Sequence, residues 1–378
     1  MQLHIGLDGS RLAETQYTGT EHYTYHLFCA LFRIAPHHRY TIYAHGRPSK
    51  ALATGTADVN WRVMPFPRFW TQLRLSWEFL TQPHPDVLFI PAHTAPLISP
   101  RHTVITIHDL AFLHIPSEYS LGERLEQRWA LWQATRKARR LIAVSEATGQ
   151  DLIDQVRLPA ERVKVVYHGV DLDTFRPPTI REQPTPVQRA TQPYLYSIGR
   201  LERKKNTAQL IRAFRILKER HHLPHQLVLA GKPGRYGYDE ISTLLAELPE
   251  LIRNDILLLG YVSDQEHAAW LRFSESLVFP SLFEGFGMPV LEAMASGVPV
   301  VTSRTGSLAE VAGEAAVLVN PTQAASIAQG VLRLANDESL RNRCILRGRE
   351  RAAQFTWERA ARETINILED VARGPDQP

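Results

Sequence analysis

Cysteine is nearly absent from this chain. Cys29 and Cys344 are the two cysteines in 378 residues, too few and too far apart for a disulfide framework, so both are expected to be reduced and partly buried. Long apolar runs are missing as well. No stretch is long enough to cross a bilayer, and the N-terminus runs directly into a strand pattern with no signal-peptide regions, so a cytoplasmic protein is expected. Excess charge of one sign is small: the formal net charge is +4, with basic residues spread among acidic ones. That argues against a dedicated nucleic-acid binder and leaves room for a phosphate ligand or an anionic membrane surface. No G-x-G-x-x-G follows the first strand pattern, which disfavours a nicotinamide enzyme.

The length exceeds that at which single cores stop growing, so two domains are expected. The stretch that organises them is Ser281 to Thr302, SLFEGFGMPVLEAMASGVPVVT. Gly285, Gly287 and Pro289 fall between Glu284 and Glu292 and exclude one continuous helix joining the two carboxylates. Leu277 to Pro280 reads as the end of a buried strand, Ser281 to Met288 as a glycine-bearing loop, Pro289 as the first helical position and Gly297 as the stop. Val298 to Thr302 is the next strand. A helix N-terminus above a strand end is an anion site. Two carboxylates beside it fit the neutral hydroxyls of a sugar and a ribose better than a phosphate. The plainer alternative is a surface loop with two solvated glutamates.

E-G-F-G-M-P-V-L-E, followed by A-S-G-V-P-V-V, resembles the signature of the retaining nucleotide-sugar glycosyltransferases of glycosyltransferase family 4. The resemblance implies the GT-B fold: two α/β Rossmann-like domains facing each other across a cleft, with the C-terminal helix crossing back to the first domain. It places an acceptor-side domain at residues 1–176, a linker at 177–193 and a nucleotide-sugar domain at 194–356, with the returning helix at 357–373. The linker is also legible from its prolines, Pro177, Pro178, Pro184, Pro186 and Pro193, in a polar stretch without apolar period.

Further matches extend the likeness. Residues 2–8 read as a strand, and Tyr17-Thr18-Gly19-Thr20 as a loop before a helix at His22 to Phe32; the resemblance puts Gly19 near the donor diphosphate and Thr20 near the acceptor, and a tight turn without ligand is the alternative. Strands are expected at Tyr40 to His45, Trp61 to Phe66 and Asp86 to Pro91. Between the last two, Phe69, Leu73, Trp77 and Leu80 recur at helical steps with Arg68 and Arg74 interleaved, which reads as a packed core helix, with a membrane-facing helix as the rival. Val104 to His108 delivers His108-Asp109 to a strand end. In the family such a histidine contacts the transferred sugar and stabilises positive charge near its anomeric carbon; Asp109 either binds acceptor or caps the next turn. Arg124 to Arg140 reads as a helix with a solvated basic face, with contact to a phosphate-rich membrane surface as the alternative.

Leu141 to Val144 is another strand, and Val163 to Tyr167 leads into His168-Gly169-Val170-Asp171, similar to the family's element before the domain boundary. Asp171-Leu172-Asp173 has the D-x-D spacing of metal-dependent transferases of the other fold, yet it lacks their surroundings and is read as structural. Tyr194 to Ile198 opens the second half, and Arg200 and Lys205 match the family's R-x4-K pair, two cations able to neutralise a diphosphate without a metal. Strand-to-turn steps follow at Gly231 and at Gly260-Tyr261-Val262, where the family sets residues beside the nucleobase. Ser263 with Glu266, and Ser307 with Glu310, read as capping boxes.

These matches imply a metal-independent hexosyltransferase without cofactor. His108, Arg200, Lys205 and Glu284 would serve catalysis. Gly19, Gly231, Tyr261, Val262, Gly285, Phe286, Gly287, Met288, Pro289 and Glu292 would hold the donor, with Glu292 on the ribose. No residue is an obvious covalent nucleophile. TGTEHYTYHL and HDLAFL are similar to mannosyltransferases of polysaccharide and O-antigen assembly, which makes GDP-mannose the leading donor and a glycan or polyprenol-linked glycan the acceptor. UDP- and dTDP-sugars, and an inactive sugar-nucleotide-binding homologue, stay open.

Overall fold

The computed structural model describes residues 2–179, 182 and 190–374. Residues 180, 181 and 183–189 of the expected linker, Pro184 and Pro186 among them, lie outside that description. Contacts divide the chain into two units. Unit 1 comprises Met1–Leu110, Ser120–Gly169 and Thr356–Pro378; unit 2 comprises Ala111–Tyr119 and Val170–Phe355. The first boundary thus falls at Gly169 rather than at 176, and a short excursion after Leu110 belongs to unit 2. Its attachments are physical: His114 stacks on Phe283 with ring centroids 4.7 Å apart, and Glu118 meets Arg203 at 3.5 Å.

Unit 1 is built on a parallel sheet of β1 (His4–Asp8), β2 (Arg39–Ala44), β3 (Asp58–Val63), β4 (Val87–Ile90), β5 (Thr103–Ile107), β6 (Arg140–Ala143) and β7 (Val163–Val165), in the order β3-β2-β1-β4-β5-β6-β7. β4 and β5 are buried at every position, the continuous apolar pattern of strands covered on both faces. The strand expected at Trp61 to Phe66 begins three residues earlier, at Asp58, in register with Arg39 of β2. The C-terminal helix Trp357–Arg373 joins this unit, as the resemblance implied. Ala361, Ile365 and Leu368 are buried along one face. Trp357 stacks on His26 of the helix Gly19–Ile34 at 5.4 Å, and Glu369 accepts from His38 Nε2 at 3.1 Å.

The core helix expected from Phe69, Leu73, Trp77 and Leu80 is a correction. Those side chains are 68%, 47%, 60% and 60% exposed, whereas Trp70, Leu75 and Phe79 are buried. Phe69 takes a left-handed conformation (φ 54°), a π-helical turn covers Trp70–Arg74, and the α-helix starts only at Leu75. The segment carries two apolar faces, and the wider turn sets which one points inward. Trp70 Nε1 donates to the Met64 carbonyl at 2.7 Å and pins the choice. The helix Leu121–Lys137 likewise leaves Leu121, Leu125, Trp129 and Trp132 exposed, with the Arg136 guanidinium 4.5 Å above the Trp132 ring.

Unit 2 repeats the plan with β8 (Tyr194–Ile198), β9 (Gln226–Ala230), β10 (Ile256–Gly260), β11 (Ser276–Phe279), β12 (Val300–Ser303) and β13 (Val317–Val319), in the order β10-β9-β8-β11-β12-β13. Its core packs Phe214, Leu217, Leu227, Leu229, Val278 and Val301. Each sheet grows outward in both directions from a central pair, β1 beside β4 and β8 beside β11. Open α/β sheets bind ligands beyond the strand ends at such a reversal. Among the described residues no helix is long and apolar enough to cross a membrane.

Candidate active site

In unit 1 the buried strand β5 carries His108 past its C-terminal end. A carbonyl can only accept, so His108 Nε2–H donates to Pro91 at 2.7 Å, and in the neutral ring Nδ1 is then the lone-pair nitrogen. Burial pushes the His108 pKa down to about 4, with the nearby His93 adding to the shift. At neutral pH the ring is therefore an uncharged acceptor. Its edge meets Tyr23 at 4.8 Å, and Tyr23 in turn hydrogen-bonds Thr106 of β5 at 3.1 Å. His168, whose pKa burial drives well below the usual value, lies 5.7 Å from His108 ring to ring. Asp109 is half-buried, and its charge acts on both His93 and His108.

Gly19 and Thr20 occupy the first turn of the helix Gly19–Ile34 instead of a loop before it. The helix starts early because Glu21 accepts from the Thr18 backbone N–H at 3.0 Å and from the Thr18 hydroxyl, a capping box the sequence T-x-x-E contains. Gly19 is exposed, and a Cβ there would meet nothing within 4 Å. Asp8, at the end of β1, was not singled out from the sequence. It is buried, accepts from Ser10 N–H at 2.9 Å, and burial raises its pKa.

In unit 2 the structure brings Lys205 and Glu284 together, 2.6 Å apart and largely shielded from solvent. Four hydrogen bonds between distant segments set this pair. Asn206, left-handed at φ 62° and buried, donates Nδ2–H bonds to the carbonyls of Pro280 (3.0 Å) and Pro321 (2.7 Å). Leu282 N–H donates to the Lys204 carbonyl at 3.0 Å. The Ser307 hydroxyl donates to the Glu284 carbonyl at 2.6 Å. That last bond replaces the capping box expected between Ser307 and Glu310, and Thr305 is the N-cap of the helix Gly306–Ala312. Arg200 stands exposed after Gly199, whose backbone (φ 136°) is packed against Gly231 (φ 144°). A Cβ on Gly231 would sit 1.9 Å from the Gly199 carbonyl oxygen.

Phe286 is 4% exposed and packs against Phe355 at 5.9 Å, so only its backbone can serve a ligand. Gly287 (φ 106°) is the N-cap of the helix Met288–Ala295, which puts Pro289 at the second helical position instead of the first. The start of an α-helix is an end that suits an anion. Glu292 follows one turn on, and its Oε2 accepts from His267 at 3.0 Å. Gly231 N–H donates to the Gly260 carbonyl at 2.7 Å, tying that turn to Tyr261 and Val262; Tyr261 is half exposed, with Lys232 Nζ 5.2 Å above its ring. Ser263 and Glu266 form the expected reciprocal cap, at 2.8 and 3.3 Å.

Asp171 spends both carboxylate oxygens on a turn, accepting from Asp173 N–H at 3.1 Å and the Thr174 hydroxyl at 2.7 Å. Among the described residues His37, His38 and Glu369 have ligand atoms within 4.8 Å of one another. His38 Nδ1 there accepts from Leu3 N–H at 3.1 Å, so its Nε2 carries the proton shared with Glu369 and has no lone pair for a metal.

Two family models match this chain: Glycosyltransferase Family 4 over residues 17–174 and Glycosyl transferases group 1 over residues 180–351. The chain is 32% identical over 271 residues to the O-antigen chain mannosyltransferase B of Escherichia coli, covering 70% of each. It is 31% identical to the MMP alpha-(1->4)-mannosyltransferase of Mycolicibacterium hassiacum, over 63% of this chain and 55% of that enzyme. Among solved structures, Anabaena Alr3699/HepE in complex with UDP and glucose matches with a TM-score of 0.73 at 20% identity, over 98% of this chain and 100% of that one. Sucrose-phosphate synthase from Thermosynechococcus elongatus matches with a TM-score of 0.76 at 19% identity, over 98% and 99%. These likenesses establish the GT-B fold.

Proposed function

The chain belongs to glycosyltransferase family 4, and on that premise we propose that it moves a mannosyl unit from GDP-mannose to a hydroxyl of a glycan or polyprenol-linked glycan, with retention at the anomeric carbon and without a metal. The observation that carries the reading is the Lys205–Glu284 pair, set at 2.6 Å by loops that follow β8 and β11. The mannose assignment is supported by the named activities of the two mannosyltransferase relatives.

Arg200 and Lys205 stabilise the charge that grows on the departing diphosphate, in a site whose dipoles are already oriented. Glu284 and the backbone of Gly285, Phe286, Gly287 and Met288 hold sugar hydroxyls, and Glu292 holds the ribose. Neutral His108 offers the Nδ1 lone pair toward developing positive charge, a task an imidazolium would oppose. The bond from the anomeric carbon to the diphosphate oxygen breaks on the face where the bond to the acceptor oxygen forms. The acceptor proton passes to the leaving phosphate oxygen, and the nucleoside diphosphate departs.

The acceptor side of the reading includes an anionic lipid surface. Leu121, Leu125, Trp129 and Trp132 of unit 1 are exposed, with Arg124, Arg128 and Arg136 interleaved on the same helix. Exposed tryptophan beside arginine suits the headgroup layer.

The test is transfer from a panel of GDP-, UDP- and dTDP-sugars in EDTA, for the wild type, Glu284→Ala and Arg200→Ala. Consumption of GDP-mannose alone, with turnover lost in both variants, is the expected result. Preference for another donor overturns the mannose assignment. Dependence on added divalent cation overturns the metal-free mechanism, and failure to bind any donor overturns the enzyme reading.

A further inference from the structure

We propose that His267 is a positioning residue: it holds the Glu292 carboxylate in the orientation that receives the donor ribose, and is itself fixed from behind by Tyr196. The inference rests on the reading that Glu292 binds the ribose. His267 lies on the helix Asp264–Arg272, outside the E-x7-E stretch, and is 7% exposed. Its Nε2 is 3.0 Å from Glu292 Oε2, and its Nδ1 is 3.0 Å from the Tyr196 hydroxyl.

The proton positions follow from the partners. A carboxylate only accepts, so Nε2 carries the hydrogen, and in the neutral ring Nδ1 is then an acceptor. Tyr196 is completely buried on β8, and burial, followed by the Glu292 charge, raises its pKa well above the usual value, so it keeps its proton and donates it to Nδ1. The ring is also held sterically, stacked on Tyr196 at 5.7 Å and covered by Phe175 at 5.4 Å. The chain of bonds runs Tyr196 to His267 to Glu292, and each donor has one acceptor.

The consequence is geometric. With Oε2 occupied by His267, the plane of the carboxylate is set and Oε1 remains for a hydroxyl pair. Without that bond the carboxylate is free to turn about its last torsion, and part of the ribose binding is lost to ordering it. Two substitutions separate the ends of the relay. Glutamine carries an amide N–H near the place of Nε2, so His267→Gln keeps the bond to Glu292. Asparagine reaches only as far as Nδ1, so His267→Asn keeps Tyr196 and abandons Glu292.

Calorimetry should compare GDP and UDP with their 2′,3′-dideoxy forms, in the wild type, Glu292→Ala, His267→Asn, His267→Gln and Tyr196→Phe. The wild type is expected to prefer the ribose form about 10-fold. Glu292→Ala and His267→Asn should reduce that preference to within about twofold, with affinity for the dideoxy form unchanged, while His267→Gln retains it. A merely structural role would weaken both nucleotide forms equally, and that result overturns the proposal. Retention of the preference in His267→Asn while Glu292→Ala loses it overturns the role of His267 and leaves the ribose role of Glu292 standing. No ribose preference in the wild type, or no nucleotide binding, removes the Glu292 reading and this inference with it. Should His267→Asn not fold, Tyr196→Phe decides, with about a twofold loss of preference expected and an unchanged preference counting against the relay.

Discussion

The two units share a sheet plan and differ in what they set at the strand ends. Unit 1 places uncharged rings there, His108 against Tyr23 and His168, with the proton affinities of the two histidines lowered by burial. Unit 2 places charges, an exposed Arg200 together with Lys205, Glu284 and Glu292, the last three held by hydrogen bonds between residues far apart in sequence. One topology thus sets mainly neutral aromatic rings at the strand ends in one case and a cluster of charged side chains in the other. The strands decide where ligands go, and the few residues past each strand end decide which.

If unit 2 carries the leaving-group chemistry, the largest effect should be Arg200→Ala or Glu284→Ala, lowering kcat by about 10²–10³. His108→Ala should cost about 10-fold. Steady-state kinetics on the three variants makes the check, and a His108 loss equal to the others would dissolve the distinction.

The glycines sharpen it next. In unit 2 the site backbone is inseparable from the core: Gly231→Ala forces a Cβ to 1.9 Å from the Gly199 oxygen and should destabilise by about 3 kcal/mol. In unit 1, Gly19→Ala meets open space at a helix start and should leave stability unchanged or raise it by about 0.5–1 kcal/mol. Thermal melts of the two variants decide.

Acid should separate the units as well. Burial lowers the pKa of His4, His38, His93, His108 and His168 in unit 1, and of His225 in unit 2. A histidine whose folded pKa is depressed takes up its proton more readily when unfolded. Its stabilising contribution is complete above the unfolded value near 6.5 and shrinks as pH falls toward the folded value, about 4 for His108. The raised pKa of Asp8 acts in the opposite direction. Glu266 of unit 2 is lowered by its hydrogen bonds with Ser263, so its contribution is lost only below the ordinary carboxylate range. Hydrogen exchange at pH 7 and pH 5 should show unit 1 loosening first; equal loosening would count against this ordering.

The smallest effect on folding belongs to the exposed stripe of unit 1. Leu125→Glu, at a side chain 67% exposed, should change stability by less than about 0.5 kcal/mol yet reduce co-sedimentation with vesicles containing anionic lipid. Unchanged sedimentation would remove the lipid surface from the proposed function.

Much of this was legible in the linear chain. The G-F-G-M-P interior forced a turn followed by a helix N-terminus, because glycine admits φ 106° at residue 287 and proline tolerates only the first turn. The β5 strand followed from its run of β-branched residues, with His108 just past its end. The face of the Phe69–Leu80 segment was not legible, since apolar residues occur on both sides and a single π-helical turn rotates one side out. Asn206, His267 and Tyr196 gave no local signal either, and Ser307 gave a misleading one: the partners of Asn206 are 74 and 115 residues away, and those of Ser307, His267 and Tyr196 are 23, 25 and 71 residues away.

By itself, then, the sequence determined the family and the two α/β units, because backbone torsions and strand periodicity are local properties of the chain. Only the tertiary structure decided how those residues are held. The Lys205–Glu284 pair, the relay behind Glu292, the neutral state of His108 and the exposed tryptophans all depend on which distant atoms fold against them, through burial and hydrogen bonds that no local pattern encodes.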